Sequence, residues 1–250
     1  MAWRISPAPR CRIHRSERRG LRLVSSHPYY PNSPLTVEVS GEFACFTRPE
    51  LKAERFSYEV MTPSAARGVL ESIFWRPEFE YVIVKIEILK PIAWFSIRRN
   101  EVKSLASDEW IRRMMADTSV RYDVETDRDQ RNTIALRDVA YRIFAQVRLR
   151  PQATGNEVKY REQFRRRVDK GACFSQPFLG TREFSARFGK ASRLEPIRET
   201  RALGPMLHSI HYQDGKETYH WFMAELSNGV LEVPPRGLEL PAAGPAGSRS

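Results

Sequence analysis

The sequence predicts an α+β protein: a ferredoxin-like (RRM-like) N-terminal domain followed by a small antiparallel β meander domain. Three observations carry that reading. Strand-type and helix-type patterns follow one another as β-α-β, a long excursion, then β-α-β. Both helices have recognisable start or stop signals. After about Ala191 the pattern changes to short strands separated by Asp-Gly and Asn-Gly turns.

Residues 1–33 hold seven arginines against one acid, Glu17, with no apolar run of signal-peptide type. No periodic pattern begins before Leu35, so this stretch is expected to be a disordered basic extension, with a basic RNA-binding arm as the alternative. Residues 35–47 are strand-like. Thr62 suits an N-cap with Pro63 at the first helical position, and the run stops before Pro77, so a helix is predicted over 63–75. Val84, Ile86 and Ile88 alternate with Lys85 and Glu87, the period of a half-buried strand. Residues 97–132 are charged and read as an irregular excursion with a short helix over 108–115; loops of that length in compact domains are commonly functional. Val139, Tyr141, Ile143, Ala145, Val147 and Leu149 then mark another strand, and a helix follows over 157–170, closed by Gly171. The first domain is thus placed at 34–191. An open sheet face of this kind is a common platform for single-stranded RNA. The meander, with turns at Asp214-Gly215 and Asn228-Gly229, is placed at 192–234, and the Pro-, Gly- and Ala-rich residues 235–250 are expected to be a disordered tail.

Composition narrows the function classes. The 250 residues are 41% apolar, enough for a core, and carry a formal charge of +11 with a pI near 9.9. Such an excess attracts polyanions through counterion release, which puts nucleic acid first among partners. No run of about 18 apolar residues suggests a membrane span. Cys11, Cys45 and Cys173 lie far apart with no CxxC pair, which fits a reduced cytoplasm and argues against a zinc knuckle. His208, His211 and His220 are close in sequence but have no carboxylate or cysteine at ligand spacing, so no metal site and no cofactor is expected.

Five segments carry a family resemblance. ACFTRPE begins at Ala44, SYEVMTPSAARGVLESIFWRP at Ser57, LKPIAWFSIRRNEV at Leu89, DRDQRNTIALRDVAY at Asp127 and FRRRVDKGACFSQPFLGTREFSARF at Phe164. In this order they resemble the subtype I-C CRISPR-associated repeat endoribonucleases, a branch of the fifth Cas family within the repeat-associated RNA-binding superfamily. The resemblance covers most of residues 35–190. It implies a metal-independent endoribonuclease that cuts the repeat hairpin of precursor CRISPR RNA and keeps the 5′ handle of the mature crRNA. It also implies assembly with the backbone and large subunits of a type I-C interference complex.

Metal-free RNA cleavage needs the 2′-hydroxyl oriented, the charge on the phosphorane stabilised, and protons moved. The family assigns this work to an aromatic residue, often Tyr, at the end of the first helix and to a Lys-His pair at the start of the later helix. The matching positions here are Phe74 and the pair Lys159-Tyr160. An ammonium at Lys159 can hold a phosphate; otherwise it is a solvated lysine at a helix start. Phe74 cannot exchange protons, so it either stacks on a base or belongs to the core with Leu70 and Ile73. Tyr160 can donate a proton, yet Tyr160, Phe164 and Val168 also have the spacing of a buried helical stripe. Tyr58 or a histidine of the meander is the substitute for acid-base help. The competing reading is a handle-binding subunit that does not cut. A divalent-metal nuclease would gather carboxylates, and Asp127 with Asp129 reads more simply as loop acids pairing with nearby arginines.

For RNA contact the sequence offers Arg98 and Arg99, Arg128 and Arg131, Arg165, Arg166 and Arg167 leading to Lys170, and Arg182 in a glycine-containing loop. Guanidinium groups bind phosphates bidentately and stack on bases. The alternative is a solvated basic face or a docking surface for acidic partners. About two of the three consecutive arginines are expected to face RNA, since a helix cannot present all three together.

Overall fold

The structure, a computed structural model, describes residues 32–51, 54–213 and 216–239. Nearly all of the predicted N-terminal extension, the Asp214-Gly215 turn and most of the predicted tail lie outside the described residues. The elements are β1 (Leu35–Ala44), α1 (Pro63–Ile73), β2 (Phe79–Ile88), β3 (Trp94–Val102), α2 (Asp108–Ala116) and β4 (Arg128–Leu149). They continue as α3 (Glu157–Lys170), β5 (Arg187–Gly189), β6 (Arg201–Gln213), β7 (Lys216–Ser227), β8 (Val230–Glu232) and β9 (Leu238–Glu239). All strands join one sheet in the order β5-β1-β4-β2-β8-β7-β6, with β3 on β4 and β9 on β7, and the neighbours pair antiparallel.

The core sits where alternation along the strands turns apolar side chains to one face. Val37 and Val39, Tyr81 and Ile83, and Tyr141, Ile143 and Val147 are buried there together with Val69, Leu70 and Ile73 of α1 and Tyr160, Phe164 and Val168 of α3. Each such side chain contributes about 1.5–3 kcal/mol by leaving water. Thr62 caps α1 by accepting from Ala65 N at 3.3 Å, and Asn156 caps α3 by accepting from Val158 N at 3.0 Å. Gly171 ends α3 at φ 63°, a left-handed position that glycine takes without strain. α1 ends at Ile73 rather than 75, with Phe74 already extended.

The main departure from expectation is the excursion over 97–132. Only α2 was anticipated; the excursion also forms a two-stranded arm in which β3 pairs with the first nine residues of a 22-residue β4, from Trp94↔Leu136 to Val102↔Arg128. Its strands bury little, so the sequence lacks the apolar alternation that marks β1 and β2. Ser57 N and Ile134 N bond to Ile134 O and Arg55 O, each at 2.9 Å, and tie the base of the arm to the segment before α1. β2 likewise begins at Phe79, before its recognisable alternation.

The meander is present, and Asn228 and Gly229 both have positive φ, as its turn requires. It is continuous with the remainder of the sheet: β8 pairs with β2 through Lys85↔Glu232 to Glu87↔Val230, and from Pro34 onward the described residues form one compact unit. Leu238 and Glu239, assigned to the loose tail from composition, form a short strand on β7. No helix among the described residues is long and apolar enough to cross a membrane.

Candidate functional site

The end of α1 and the start of α3 meet through one aromatic layer. The Phe74 ring lies 5.6 Å from Phe79, and Phe79 lies 5.0 Å from Tyr160 and 5.1 Å from Tyr81. Phe74 donates its N–H to Leu70 O at 2.9 Å and accepts from the Tyr81 hydroxyl at 2.7 Å. At 2% and 8% exposure, Phe74 and Tyr160 are both core residues. The Tyr160 hydroxyl lies against Gly155, where a Cβ would collide with it. Lys159 differs: it is exposed on the first turn of α3 and makes no ion pair with a described residue. Of the three positions matched to the family's chemistry, only Lys159 presents its functional group to solvent. Trp75, next to Phe74, is 51% exposed. Its loop meets the start of the β4–α3 loop through Arg150 N bonded to Glu78 O at 2.9 Å. Tyr58 is buried beneath the Arg48 guanidinium, 4.4 Å from its ring centroid. Burial pushes its phenol up to about 12, too high for a base near neutrality.

On the arm, the strand period of two sorts the arginines. Arg98 and Arg128 lie on the exposed face beside Asn100, Gln130 and Asn132. Arg99 and Arg131 lie on the opposite, half-buried face and are already paired. Arg99 donates to Thr133 at 3.0 Å and to Glu183 at 3.1 Å, and reaches Glu101 at 2.7 Å. Arg131 meets Asp129 at 3.3 Å and Glu101 at 3.7 Å. Arg55 also donates to Glu183, at 3.2 Å. The Glu183 carboxyl is held below its usual range by its own backbone N–H and then by Arg55. Asp127 accepts from Ser104 and Tyr122 instead of an arginine.

On α3, Arg165, Arg166 and Lys170 are exposed, while Arg167 turns inward and donates to Ile73 O at 3.0 Å with its guanidinium 5.4 Å from the Phe74 ring centroid. Arg182 is exposed in the loop that follows Gly180. Gly180 has φ +88°, and a Cβ there would strike the Cys45 carbonyl, so the glycine lets this loop lie directly on the chain after β1. Leu179 O accepts from Cys45 N at 3.0 Å to fix that contact.

Two solved structures share this fold. One, titled as a CRISPR-associated protein, is 20% identical with a TM-score of 0.59, covering 81% of this chain and 92% of its own. The other, the functionally uncharacterized protein SMU1763c from Streptococcus mutans, is 21% identical with a TM-score of 0.57 and the same coverage. A family model, Cas_Cas5d, described as CRISPR-associated protein (Cas_Cas5), matches residues 35–236. The chain belongs to the Cas5d family. Proteins named CRISPR pre-crRNA endoribonuclease Cas5d agree: that of Mannheimia succiniciproducens is 45% identical over 214 residues, spanning 80% of this chain and 95% of the relative. That of Thermus thermophilus is 46% identical over 219 residues, spanning 80% and 91%. All five resembling segments fall inside the matched region.

Several features of this Cas5d chain escape sequence reasoning. Arg142 is buried and contacts Glu87 at 2.6 Å, Glu38 at 3.5 Å and the carbonyls of Ser192 and Leu194 at 3.1 and 2.8 Å. A buried cation must be paired, so an arginine inside the apolar run of β4 is the signal that predicts such partners. The three meander histidines converge beside Arg67 on a cavity, although their sequence spacing shows only that two of them share a strand.

Proposed function

We propose that this chain binds the repeat hairpin of precursor CRISPR RNA and cuts it without a metal. The 2′-hydroxyl oxygen attacks the adjacent phosphorus, the bond to the 5′ oxygen breaks, and a cyclic phosphate and a free 5′-hydroxyl result. One proton leaves the 2′ oxygen and one reaches the leaving oxygen. The observation that carries the reading is identity of 45% and 46% to two relatives named pre-crRNA endoribonucleases over nearly their whole length. The order β5-β1-β4-β2 is the fourth-first-third-second order of a ferredoxin-like sheet, which supports that finer description of the core.

Lys159 is the residue we assign to the phosphate, since its ammonium is exposed at the junction of α1 and α3 and needs no proton transfer to stabilise the transition state. Phe74 and Tyr160 form the packed wall behind it. Trp75 is the exposed aromatic of the same loop and suits base stacking. Arg98, Arg128, Arg165, Arg166, Lys170 and Arg182 are the exposed cations for RNA, while Arg99 and Arg131 support the arm. The product stays on the protein, within an interference complex that includes backbone and large subunits. The burial of Phe74 and Tyr160 favours a second reading, a subunit that holds the handle without cutting.

The test is single-turnover cleavage of the cognate repeat hairpin in EDTA by the full chain and by Lys159→Ala, with a deoxyribose at the scissile position as control. Cleavage that survives EDTA and is lost with Lys159→Ala or the deoxy substrate supports the nuclease. Tight binding with an intact hairpin leaves the handle-binding subunit.

A further inference from the structure

A second basic feature lies apart from the residues assigned above. Between α1, the start of β2 and the β6–β7 hairpin is a cavity of about 280 Å³ lined by Arg67, Arg148, Arg236, His208, His211 and His220. Its charged lining is three arginines against one glutamate, Glu80, which already pairs with Arg148 at 2.5 Å. The Nε of Arg67 is buried and has no hydrogen-bond partner, a costly state for a guanidinium and one that an incoming acceptor relieves. The Gly237 backbone passes over the histidines so closely that a Cβ there would come within 2.8 Å of His208 Cβ and 2.9 Å of His220 Cβ. The chain after β8 therefore closes one side of the cavity.

The histidines are wired in a defined direction. His208 Nε2 faces Pro234 O at 2.9 Å, and a carbonyl can only accept, so this nitrogen carries the proton. In the neutral ring Nδ1 is then an acceptor for the Ser209 hydroxyl at 3.1 Å, and the same oxygen accepts from His211 Nε2 at 3.1 Å. His211 is left with Nδ1 uncommitted, and its ring lies tilted against that of His220 with 4.4 Å between centroids. Burial lowers the affinity of His208 for a second proton, and burial followed by the charge of His220 does the same at His211. The charged groups around the rings are Arg67 from α1, Glu80 from β2, Arg148 from β4 and Arg236 from the segment after β8, with Glu71 of α1 coupled to Arg67 and Glu80. Without an anion, these surroundings disfavour the charged form of His208 and His211. An anionic oxygen cluster beside Arg67 opposes that effect and favours the charged form of His211.

We infer that this cavity binds a phosphate group of the RNA, held by Arg67 and by the adjacent rings of His211 and His220. The inference rests on the RNA-binding reading above and adds a second anchoring point, distinct from Lys159. A phosphate that favours charged His211 couples binding to proton uptake there, so RNA affinity is expected to strengthen as pH falls.

The experiment measures binding of a labelled repeat hairpin, deoxy at the scissile position, to the full chain at pH 8.0 and 6.0. It compares the unmodified protein with H211Q/H220Q, Arg67→Gln and Arg98→Ala, with melting temperatures as folding controls. Acidification should tighten the unmodified protein about tenfold, the scale of one added charge-assisted contact. H211Q/H220Q should lose that gain, Arg67→Gln should weaken binding at both pH values, and Arg98→Ala should weaken binding but keep the gain. A folded H211Q/H220Q protein with the full gain overturns the inference. Inorganic phosphate titrated against the histidine ring protons by NMR separates the sources: shifts at His211 and His220 with no change in RNA binding would assign the cavity to free phosphate and overturn the RNA assignment. Absence of RNA binding at either pH would overturn the RNA reading as a whole, whereas binding with no pH-dependent gain overturns the cavity alone.

Discussion

Arg98 and Arg99 are adjacent in sequence, yet the structure gives them opposite tasks, and exchanging each for alanine separates the two. Arg98 lies on the open face of the arm and has no ion-pair partner among the described residues. Losing one phosphate contact should make the slope of log K against log salt shallower by about 0.7–0.9 and leave the melting temperature unchanged. Arg99 is 18% exposed at the side chain and holds Thr133, Glu101 and Glu183 together. Truncating it leaves Glu101 to Arg131 and Arg55, and Glu183 to Arg55 alone. Hydrogen bonds to charged groups are worth about 1.5–3 kcal/mol net. In a domain of this size about 2–4 °C accompanies each kcal/mol, so Arg99→Ala should lower the melting temperature by about 3–12 °C. The assay is RNA binding at four or more salt concentrations beside a thermal melt of each variant. The face assignment is refuted if Arg99→Ala flattens the salt slope as much as Arg98→Ala does while melting like the unmodified protein.

Tyr160→Phe should leave single-turnover cleavage within about threefold, because a buried phenol is not the proton donor, whereas Tyr160→Ala should cost about 3–5 kcal/mol in denaturant unfolding by emptying the layer beside Phe79. Gly180→Ala should destabilise by more than about 1–2 kcal/mol, the cost of a left-handed backbone alone, because the new Cβ also meets Cys45. His208 binds its second proton less readily folded than unfolded; the unfolded chain takes up the proton first as pH falls below about 6.5. Its contribution to stability is therefore complete above that pH and is lost below it. Thermal melts from pH 7.5 to 5.5 should show a shallower decline for His208→Gln than for the unmodified protein.

What was legible in the sequence follows the physics of each region. β1, α1 and α3 announce themselves because one face is buried and the caps Thr62 and Gly171 are local chemistry. The arm was missed because Arg98 to Glu101 and Arg128 to Arg131 alternate between an exposed and a half-buried face that are both polar, so they differ in partners and not in polarity. The separation of Arg98 from Arg99 depends on Glu183, more than eighty residues away, and no local pattern encodes that. The same holds for the joining of the meander to the main sheet, since a three-residue strand such as β8 takes its place only when β2 is available to pair with it. Charge composition pointed to polyanion binding for the chain as a whole, but which cations are free and which are consumed internally required the register.

That distinction bears on the rate expected of the proposed nuclease. General acid-base catalysis is typically worth about 10²–10⁴-fold, and the two positions where the family places proton-exchanging groups are here a ring without a proton to give and a phenol inside the core. What remains at the surface is the ammonium of Lys159, positioned by the Asn156 cap and the aromatic layer beneath α3. Charge stabilisation by one such donor is worth about 10²–10³-fold, and orientation of the 2′-hydroxyl adds to it. Cleavage on these terms should be slower than in a relative with a full proton-transfer set, and its rate should rise with pH as solvent takes the 2′ proton. A protein that keeps its product needs only one turnover per RNA, so slow cutting and tight retention are compatible. The pH-rate profile is the measurement that separates them from a hidden acid: a rate that climbs steadily from pH 6 to 9 fits Lys159 and solvent, whereas a bell with an acidic and a basic limb would require an acid-base residue that this reading does not contain.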